Sequence, residues 1–456
     1  MCGVIGIYSK NESLTSRLAY YSLYSLQHRG QESAGITVFG DYIHIHKDMG
    51  LVSEVFDRKK LNEMRGNVAV GHVRYSTTGE SKIENAQPLL VKTRNGALAI
   101  AHNGNLVNYL SLKRELEQNG SVFITDSDTE VIAKLLSKEL ERNDILDSIK
   151  KVSSILKGSY TVVMALNESL IGYRDSLGFK PLIVGEGDFG YIIASESCAI
   201  DAVNAEVIRD VKPGEAVLIV DGEIEFVQIE KSERSAYCVF EYIYFARPDS
   251  VIDGKSVYDV RERIGRILAR ESPVDADIVS PVPDSGTTSA IGFSKESGIE
   301  YSEALIKNRY VGRTFILPDQ NSRELSVKIK MNSVRRNVKG KRVVLIDDSI
   351  VRGTTSRKIV DMVRNAGAKE VHFRVGSPPI ISPCYFGIDM STREELIASQ
   401  KTVEEIREEI NADSLAYLSI DGLIKAVGMK REELCIACLT AEYPVDVSEA
   451  RSCVRC

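Results

Sequence analysis

The chain opens Met-Cys-Gly-Val-Ile-Gly, and a thiol in second place has an option that no internal cysteine has. Removing Met1 exposes Cys2 with a free α-amine on the nucleophile's own residue. An α-amine with a pKa of roughly 7.7–8.0 can then serve as general base for its own thiol. Cys2 is equally suited to be the small apolar start of a buried strand. Only Met1 precedes it, so simple methionine removal is the expected processing. A second chemical signature lies at residues 343–356, VVLIDDSIVRGTTS, where an apolar strand ends in Asp347 and Asp348. The small-residue loop Gly353-Thr354-Thr355-Ser356 then opens a helix. Ligands of open parallel sheets sit beyond the carboxyl ends of strands, and a helix N-terminus with hydroxyls offers donors to a phosphate. Two acids at a strand end can reach both a hydroxylated sugar and a metal ion. A helix cap with a solvated charge pair would look the same. After IVSPVP comes a loop of similar design, Asp284-Ser285-Gly286-Thr287-Thr288, suited to a pyrophosphate through backbone N–H groups. Two such cradles with an acidic pair describe a sugar carrying phosphates at both ends.

The last chemical signature is a run of cysteines. Cys435-Ile-Ala-Cys438 is followed by fourteen residues and then Cys453-Val-Arg-Cys456, a spacing close to a zinc ribbon. The other four cysteines are Cys2, Cys198, Cys238 and Cys384. With no charged-then-apolar leader the expected compartment is the cytoplasm, where cysteines serve as thiols, metal ligands or nucleophiles more often than as disulfides. Cys198, in ASESCAI, is expected to pack as a small apolar residue.

These residues need elements to hold them. At 456 residues and 43% apolar, with no uncharged apolar run near membrane-spanning length, the chain reads as soluble, globular and multidomain. A net charge of -6 argues against general nucleic-acid binding. Up to about residue 230 the text is rich in short apolar strands (CGVIGIYS, SAGITVF, NVAVGHVRYS, ALAIAHNGNL, YTVVMAL, GYIIASE, EAVLIV), with helical patterns at 13–27 and 128–141. Clustered strands with a few helices predict an α+β layered domain over 2–230. After the charged stretch EKSERSA, helix and strand alternate from about 257, which predicts an α/β domain with a parallel sheet over 231–456. The last 25 residues read as a cysteine-bearing tail.

Four segments, LQHRGQESAG (26–35), GHVRYSTTG (71–79), AHNGNL (101–106) and DSDTE (126–130), resemble class II glutamine amidotransferases, the N-terminal-nucleophile family with an αββα layered fold. The resemblance implies hydrolysis of glutamine through Cys2, with Asn103 and the backbone N–H of Gly104 as oxyanion donors. It further implies Arg74 at the glutamine α-carboxylate, Asp128 at its α-amine, and Arg29 bracing the nucleophile. A Cys-His dyad through His72 or His102 is disfavoured, because the amine already fills the role of base. Further on, the two phosphate loops resemble type I phosphoribosyltransferases, whose ligand is 5-phosphoribosyl-1-pyrophosphate (PRPP). The segments FEYIYFARPDS (240–250), KNRYVGRTFI (307–316), IDDSIVRGTT, GIDMSTREELIA (387–398) and ADSLAYLSIDGL (412–423) narrow the likeness to the amidophosphoribosyltransferase family over nearly the whole chain.

That likeness implies Asp347 and Asp348 on the ribose hydroxyls and Mg²⁺, and Gly353, Thr354 and Thr355 on the 5′-phosphate. It implies Asp284 and Ser285 at the pyrophosphate, Ser285 also near the metal, and residues 307–314 as a loop that closes over PRPP with Lys307, Arg309 and Arg313. Cluster-bearing members hold a 4Fe–4S cluster through cysteines at the positions of Cys238, Cys384, Cys435 and Cys438. This conflicts with the zinc reading of Cys435, Cys438, Cys453 and Cys456, and it leaves Cys453 and Cys456 as a solvated terminus. The implied reaction transfers ammonia from glutamine to PRPP, giving 5-phosphoribosylamine and pyrophosphate at the first step of purine synthesis. A homotetramer or homodimer inhibited by purine nucleotides is implied as well, with no nucleic acid and no membrane as partner. The rival is a PRPP-sensing regulator without catalysis, which would have no need of the Cys2, Arg74, Asn103 and Asp128 set.

Overall fold

The computed structural model describes residues 1–76, 80–94, 96–308, 331–390 and 392–452. The strand-rich first half forms two antiparallel sheets. In spatial order the first runs Glu206–Asp210, Ile183–Gly187, Gly190–Ala194, Gly3–Ser9, Val68–Arg74, Ser33–Phe39 and Ile43–Met49. The second runs Glu223–Gln228, Glu215–Val220, Ser169–Tyr173, Gly158–Leu166, Gly96–Leu106 and Leu89–Thr93.

Alternation along the strands decides which face meets which layer. Val4 lies in the core between the sheets, whereas Ile5 and Ile7 pack beneath the helix Thr15–Ser25 on the outer face. A Cβ on Gly6 would stand 2.6 Å from Leu170 of the facing sheet, so this glycine sets how closely the sheets approach. On the second sheet Ala99 and Ala101 face inward, while Leu98 and Ile100 pack against the helices Tyr109–Gln118, Asp128–Glu139 and Ile145–Ser153. The four layers are helix, sheet, sheet and helix, as the likeness implied.

The second half holds a four-stranded parallel sheet in the order Ile278–Pro281, Arg342–Asp347, Glu370–Val375, Ser414–Tyr417. The helices Val257–Glu271 and Thr287–Ser297 share one hydrophobic cluster with its strands, and Thr354–Asn365 belongs to a second. One short strand, Leu305–Lys307, does not join this sheet but pairs antiparallel with Met331–Ser333. Its three residues are too few to bury two faces: Leu305 is buried, and Ile306 and Lys307 are exposed.

The cysteine-bearing end is not a tail as far as the described residues go. Cys435 and Cys438 are buried, Leu434–Cys435 pairs in parallel with Tyr237–Cys238, and the helix Ser448–Ser452 reaches the first half, where Glu449 accepts from the Ser111 backbone N–H at 2.8 Å. Cys198 is buried in the apolar core, as expected. No described helix is long and apolar enough to cross a membrane.

The two halves are joined by buried charge. Arg174, at the end of the strand Ser169–Tyr173, donates twice to Asp253 at 2.6 and 3.0 Å and also to the carbonyls of Val211 and Gly178. Removing one partner strands the other in a dry site. Arg174→Leu is expected to cost about 3–5 kcal/mol, and the Arg174→Leu/Asp253→Asn double variant less than the sum of the two single ones. Urea unfolding of the four proteins measures this; strictly additive losses would show that the pair does not act as a unit.

Candidate active site

Cys2 stands at the first residue before the strand Gly3–Ser9, where that strand passes the end of Gly96–Leu106. Its backbone N–H donates to Asn103 Oδ1 at 3.2 Å, and its thiol points to the Tyr75 carbonyl at 3.5 Å. Met1 is present and buried beside it, and burial pushes the terminal amine down to about 6. Asn103 is fully buried, and its Nδ2 has no hydrogen-bond partner. A buried amide donor without an acceptor costs free energy unless a ligand satisfies it. Gly104 follows with φ +156°, and a Cβ there would sit 2.0 Å from the Ser159 carbonyl, so no other residue fits this backbone.

Period-two alternation explains why Asn103 and His102 serve different neighbours. Asn103 lies on the face of Ala99 and Ala101, toward Cys2, and His102 lies on the face turned to the helix Asp128–Glu139. His102 Nδ1 is 3.5 Å from Asp128 Oδ1, and Asp128 Oδ2 accepts from the Leu106 N–H at 2.9 Å. Burial opposes the Asp128 charge, but His102 and these N–H contacts hold its pKa below the usual carboxylate range. His72 bonds the His102 carbonyl at 3.2 Å, and burial drives its pKa down to about 3. Both imidazoles are therefore engaged in the core, and neither has a recorded contact with Cys2. Arg74 is buried, with Nη1 on the Glu80 carbonyl at 3.2 Å and 3.7 Å from Glu32.

Arg29 is fully buried. Its Nε donates to the Cys2 carbonyl at 3.0 Å, and its two terminal nitrogens reach Glu196 at 2.5 Å and Glu241 at 3.0 and 2.7 Å. Burial works against this guanidinium, but Glu241 and Glu196 outweigh it and keep it charged. Glu241 belongs to the second half, in the segment FEYIYF. Its neighbours Phe240, Tyr244 and Phe245 line a cavity of about 480 Å³ together with His28, Arg29 and Tyr75 of the first half.

The same cavity is floored by Asp347, Asp348 and the loop from Ser349 to Ser356, with Ser285 on its wall. Gly353 has φ +75° and caps the helix Thr354–Asn365 without a side-chain cap, so the first-turn N–H groups face the ligand space that the sequence predicted. Asp347 and Asp348 are both buried, and the Asp348 N–H donates to Asp347 at 2.9 Å. Burial raises both carboxyl pKa values, Asp347 further by the charge of Asp348. Two hard-oxygen carboxylates short of positive charge, beside the Ser285 and Ser349 hydroxyls, fit Mg²⁺ bound with substrate oxygens and water. Asp284 and Lys307 do not line the cavity; they pair with each other at 2.5 Å at an exposed position. Arg309, Arg313 and the rest of the expected closing loop lie outside the described residues, as do Thr77, Thr78 and Gly79. Sequence reasoning passed over His28, Tyr75, Arg352 and Asp389, all on the cavity wall. The only signal for them was their place inside the motifs already quoted.

Four of the cysteines meet behind this site. Cys238 and Cys435 are directly opposed in the parallel pair, Cys438 is anchored through its carbonyl to the Ile381 and Ser382 N–H groups, and Cys384 Sγ accepts from the Phe386 N–H at 3.4 Å. Burial raises the thiol pKa of Cys238, Cys435 and Cys438, and further thiols of the set add to each. No group of three or more His, Cys, Asp or Glu that could hold a metal ion is found among the described residues. A 4Fe–4S cluster places each thiolate on a different iron, so its ligands stand farther apart than those around one zinc. The donor set fits such a cluster in number and kind, and a buried ammonium without a partner, Lys180, stands beside it. Cys453 and Cys456, which a zinc ribbon would need, lie outside the described residues.

Comparison with known proteins agrees with this two-part site. Residues 72–202 match a glutamine amidotransferase domain family and residues 274–376 a phosphoribosyl transferase domain family. The amidophosphoribosyltransferase of Archaeoglobus fulgidus is 63% identical over 98% of both chains, and that of Bacillus subtilis 49% identical over 98% of this chain and 94% of its own. The solved glutamine PRPP amidotransferase of B. subtilis, complexed with ADP and GMP, superposes with a TM-score of 0.91 at 49% identity, each chain covered to 98%. With an αββα layered half and a parallel-sheet half sharing one cavity wall, and likeness of this order along nearly its whole length, the chain belongs to the amidophosphoribosyltransferase family.

Proposed function

We propose that Cys2 hydrolyses glutamine and that the ammonia displaces pyrophosphate from C1 of PRPP at the Asp347–Asp348 site, giving 5-phosphoribosylamine for purine synthesis. The observation that carries this reading is the orphaned Nδ2 of Asn103 beside Cys2, within one residue of the wall of the acidic cavity.

With Met1 removed, the Cys2 amine takes the place of the N–H that donates to Asn103 Oδ1, and it accepts the thiol proton as sulfur attacks the glutamine amide carbon. The developing oxyanion is met by Asn103 Nδ2 and the Gly104 N–H. The same amine returns its proton to the leaving ammonia, and water then releases glutamate from the thioester. Arg74 takes the glutamine α-carboxylate and Asp128 its α-amine, so the substrate lies between opposite charges. Arg29 holds the Cys2 carbonyl and thereby the direction of its thiol.

At the second site Gly353, Thr354 and Thr355 bind the 5′-phosphate, Asp347 and Asp348 the ribose hydroxyls, and Asp284 and Ser285 the pyrophosphate, with Lys307 and Arg309 closing from the loop. Mg²⁺ on Asp347, Asp348 and Ser285 would supply charge to the leaving pyrophosphate. Cys238, Cys384, Cys435 and Cys438 would hold a 4Fe–4S cluster that ties the chain's end to its interior. A B. subtilis relative complexed with ADP and GMP supports inhibition by purine nucleotides, and the chain is further read as a cytoplasmic homotetramer or homodimer. The regulator reading is weaker, because a binding protein has no use for an unsatisfied buried amide beside a second-position cysteine.

Cys2→Ala is expected to abolish phosphoribosylamine formation from glutamine while leaving the ammonia-dependent reaction intact; activity with glutamine would refute the nucleophile. Asn103→Ala should lower kcat for glutamine by about 10²–10³ with little change in KM, whereas Arg74→Ala and Asp128→Ala should act mainly on KM. Because burial raises the Asp347 and Asp348 pKa values, the ligand-free chain loses stability as pH rises from the ordinary carboxylate range through the raised folded values. Asp348→Asn should therefore stabilise the ligand-free protein at neutral pH by about 0.5–2 kcal/mol and remove PRPP binding. Thermal melting across pH with and without PRPP and Mg²⁺ tests both parts; unchanged melting would show that the carboxylates are not held under mutual strain.

A further inference from the structure

Lys180 is an anomaly in the first half of the chain. Its side chain is completely buried, and its Nζ has no hydrogen-bond partner. A bare ammonium in a dry site is costly unless an anion faces it. The obvious carboxylate, Glu241, is already engaged by Arg29 through two hydrogen bonds.

The surroundings of Lys180 point elsewhere. Its segment runs alongside that of Cys238: the Leu177 carbonyl accepts from the Ala236 N–H at 2.7 Å, and the Phe179 carbonyl accepts from the Cys238 N–H at 3.2 Å. Phe179 stacks on Phe386 with ring centroids 4.4 Å apart, and the Phe386 N–H donates to Cys384 Sγ. Lys180 is thus fixed by backbone and ring contacts over two of the four converging cysteines, and Cys435 pairs directly with Cys238. Four thiolates outweigh the positive charge of an iron–sulfur core, so a loaded centre is anionic.

We propose that Lys180 is the counter-cation of the four-cysteine centre: its ammonium, supplied by the glutaminase half, offsets the centre's negative charge and sets its potential and retention. The proposal rests on the 4Fe–4S reading of Cys238, Cys384, Cys435 and Cys438. It makes the centre a joint property of both halves, although all four thiols come from the second. Lys180 touches no substrate and acts only through the centre, as a positioning and charge-setting residue.

The test uses the full-length chain purified without oxygen, as wild type, Lys180→Met and Lys180→Arg. Iron and acid-labile sulfide are counted per chain, the midpoint potential is followed by electron paramagnetic resonance during dithionite titration, and melting is recorded for loaded and iron-free protein. Loss of the cation disfavours the more negative, reduced state. Lys180→Met should therefore shift the one-electron equilibrium at least tenfold toward the oxidised state, about 59 mV lower, or lose iron, and Lys180→Arg should restore wild-type behaviour. Removing a counter-cation should also destabilise the loaded chain and stabilise the iron-free one. A merely structural lysine would move both in the same direction. An unmoved potential with full iron content, or melting shifts of one sign, overturns the proposal. So does a Lys180→Met chain that cannot fold without iron. Wild-type protein lacking iron and sulfide refutes the cluster reading and the proposal together, whereas loaded wild type with an indifferent Lys180→Met refutes the counter-cation alone.

Discussion

The buried guanidinium of Arg29 is the interaction on which the rest of the structure depends. One nitrogen holds the carbonyl of Cys2, and the others are claimed by Glu196 within the same half and by Glu241 from the other. Burial opposes the Glu196 charge, yet His28 and Arg29 hold its pKa well below the usual range. The Cys2 backbone is therefore anchored to the segment whose aromatic residues line the cavity over Asp347 and Asp348. Two successive hydrogen-bonded contacts, Arg29 to Glu241 and Arg29 to the Cys2 carbonyl, join that segment to Cys2.

A second contact between the halves is steric. Gly387 packs so closely on Gly104 that a Cβ there would meet the Gly104 carbonyl carbon at 3.1 Å, and Asn105 Nδ2 donates to the Tyr385 carbonyl at 3.1 Å. The stretch that carries Cys384 thus buttresses the end of the strand Gly96–Leu106, where Asn103 and Gly104 lie. The same residues that order the cysteines also order the glutaminase site.

The two chemical sites store their electrostatic cost differently. In the first half the buried Arg29 guanidinium sits against two carboxylates, and Asp128 stands 3.5 Å from the His102 ring. At the 347–356 cavity two adjacent carboxylates are buried together, and burial raises the pKa of both, that of Asp347 further through the charge of Asp348, so a ligand that brings positive charge and hydroxyls fits there. Its counterpart beside Cys2 is Asn103 Nδ2, a buried donor without a hydrogen-bond partner.

Much of this was legible in the sequence. Strand alternation from Gly3 to Leu106, the acidic end of VVLIDD and the glycine-threonine turn after it are local patterns, written by side-chain period and by backbone conformations that few residues adopt. Motif likeness carried the pairing of glutamine amidotransferase and phosphoribosyltransferase halves. What the sequence could not decide are relations between residues far apart in the chain. Nothing in the letters says that Glu241 closes on Arg29, that the cysteine end folds inward instead of trailing as a tail, that Leu305–Lys307 leaves the parallel sheet, or that Asp284 turns outward to Lys307. Lys180 was invisible for the same reason. A lysine becomes chemically meaningful only when folding removes its water and chooses its neighbours, and that choice is made by packing between segments, which no local pattern records.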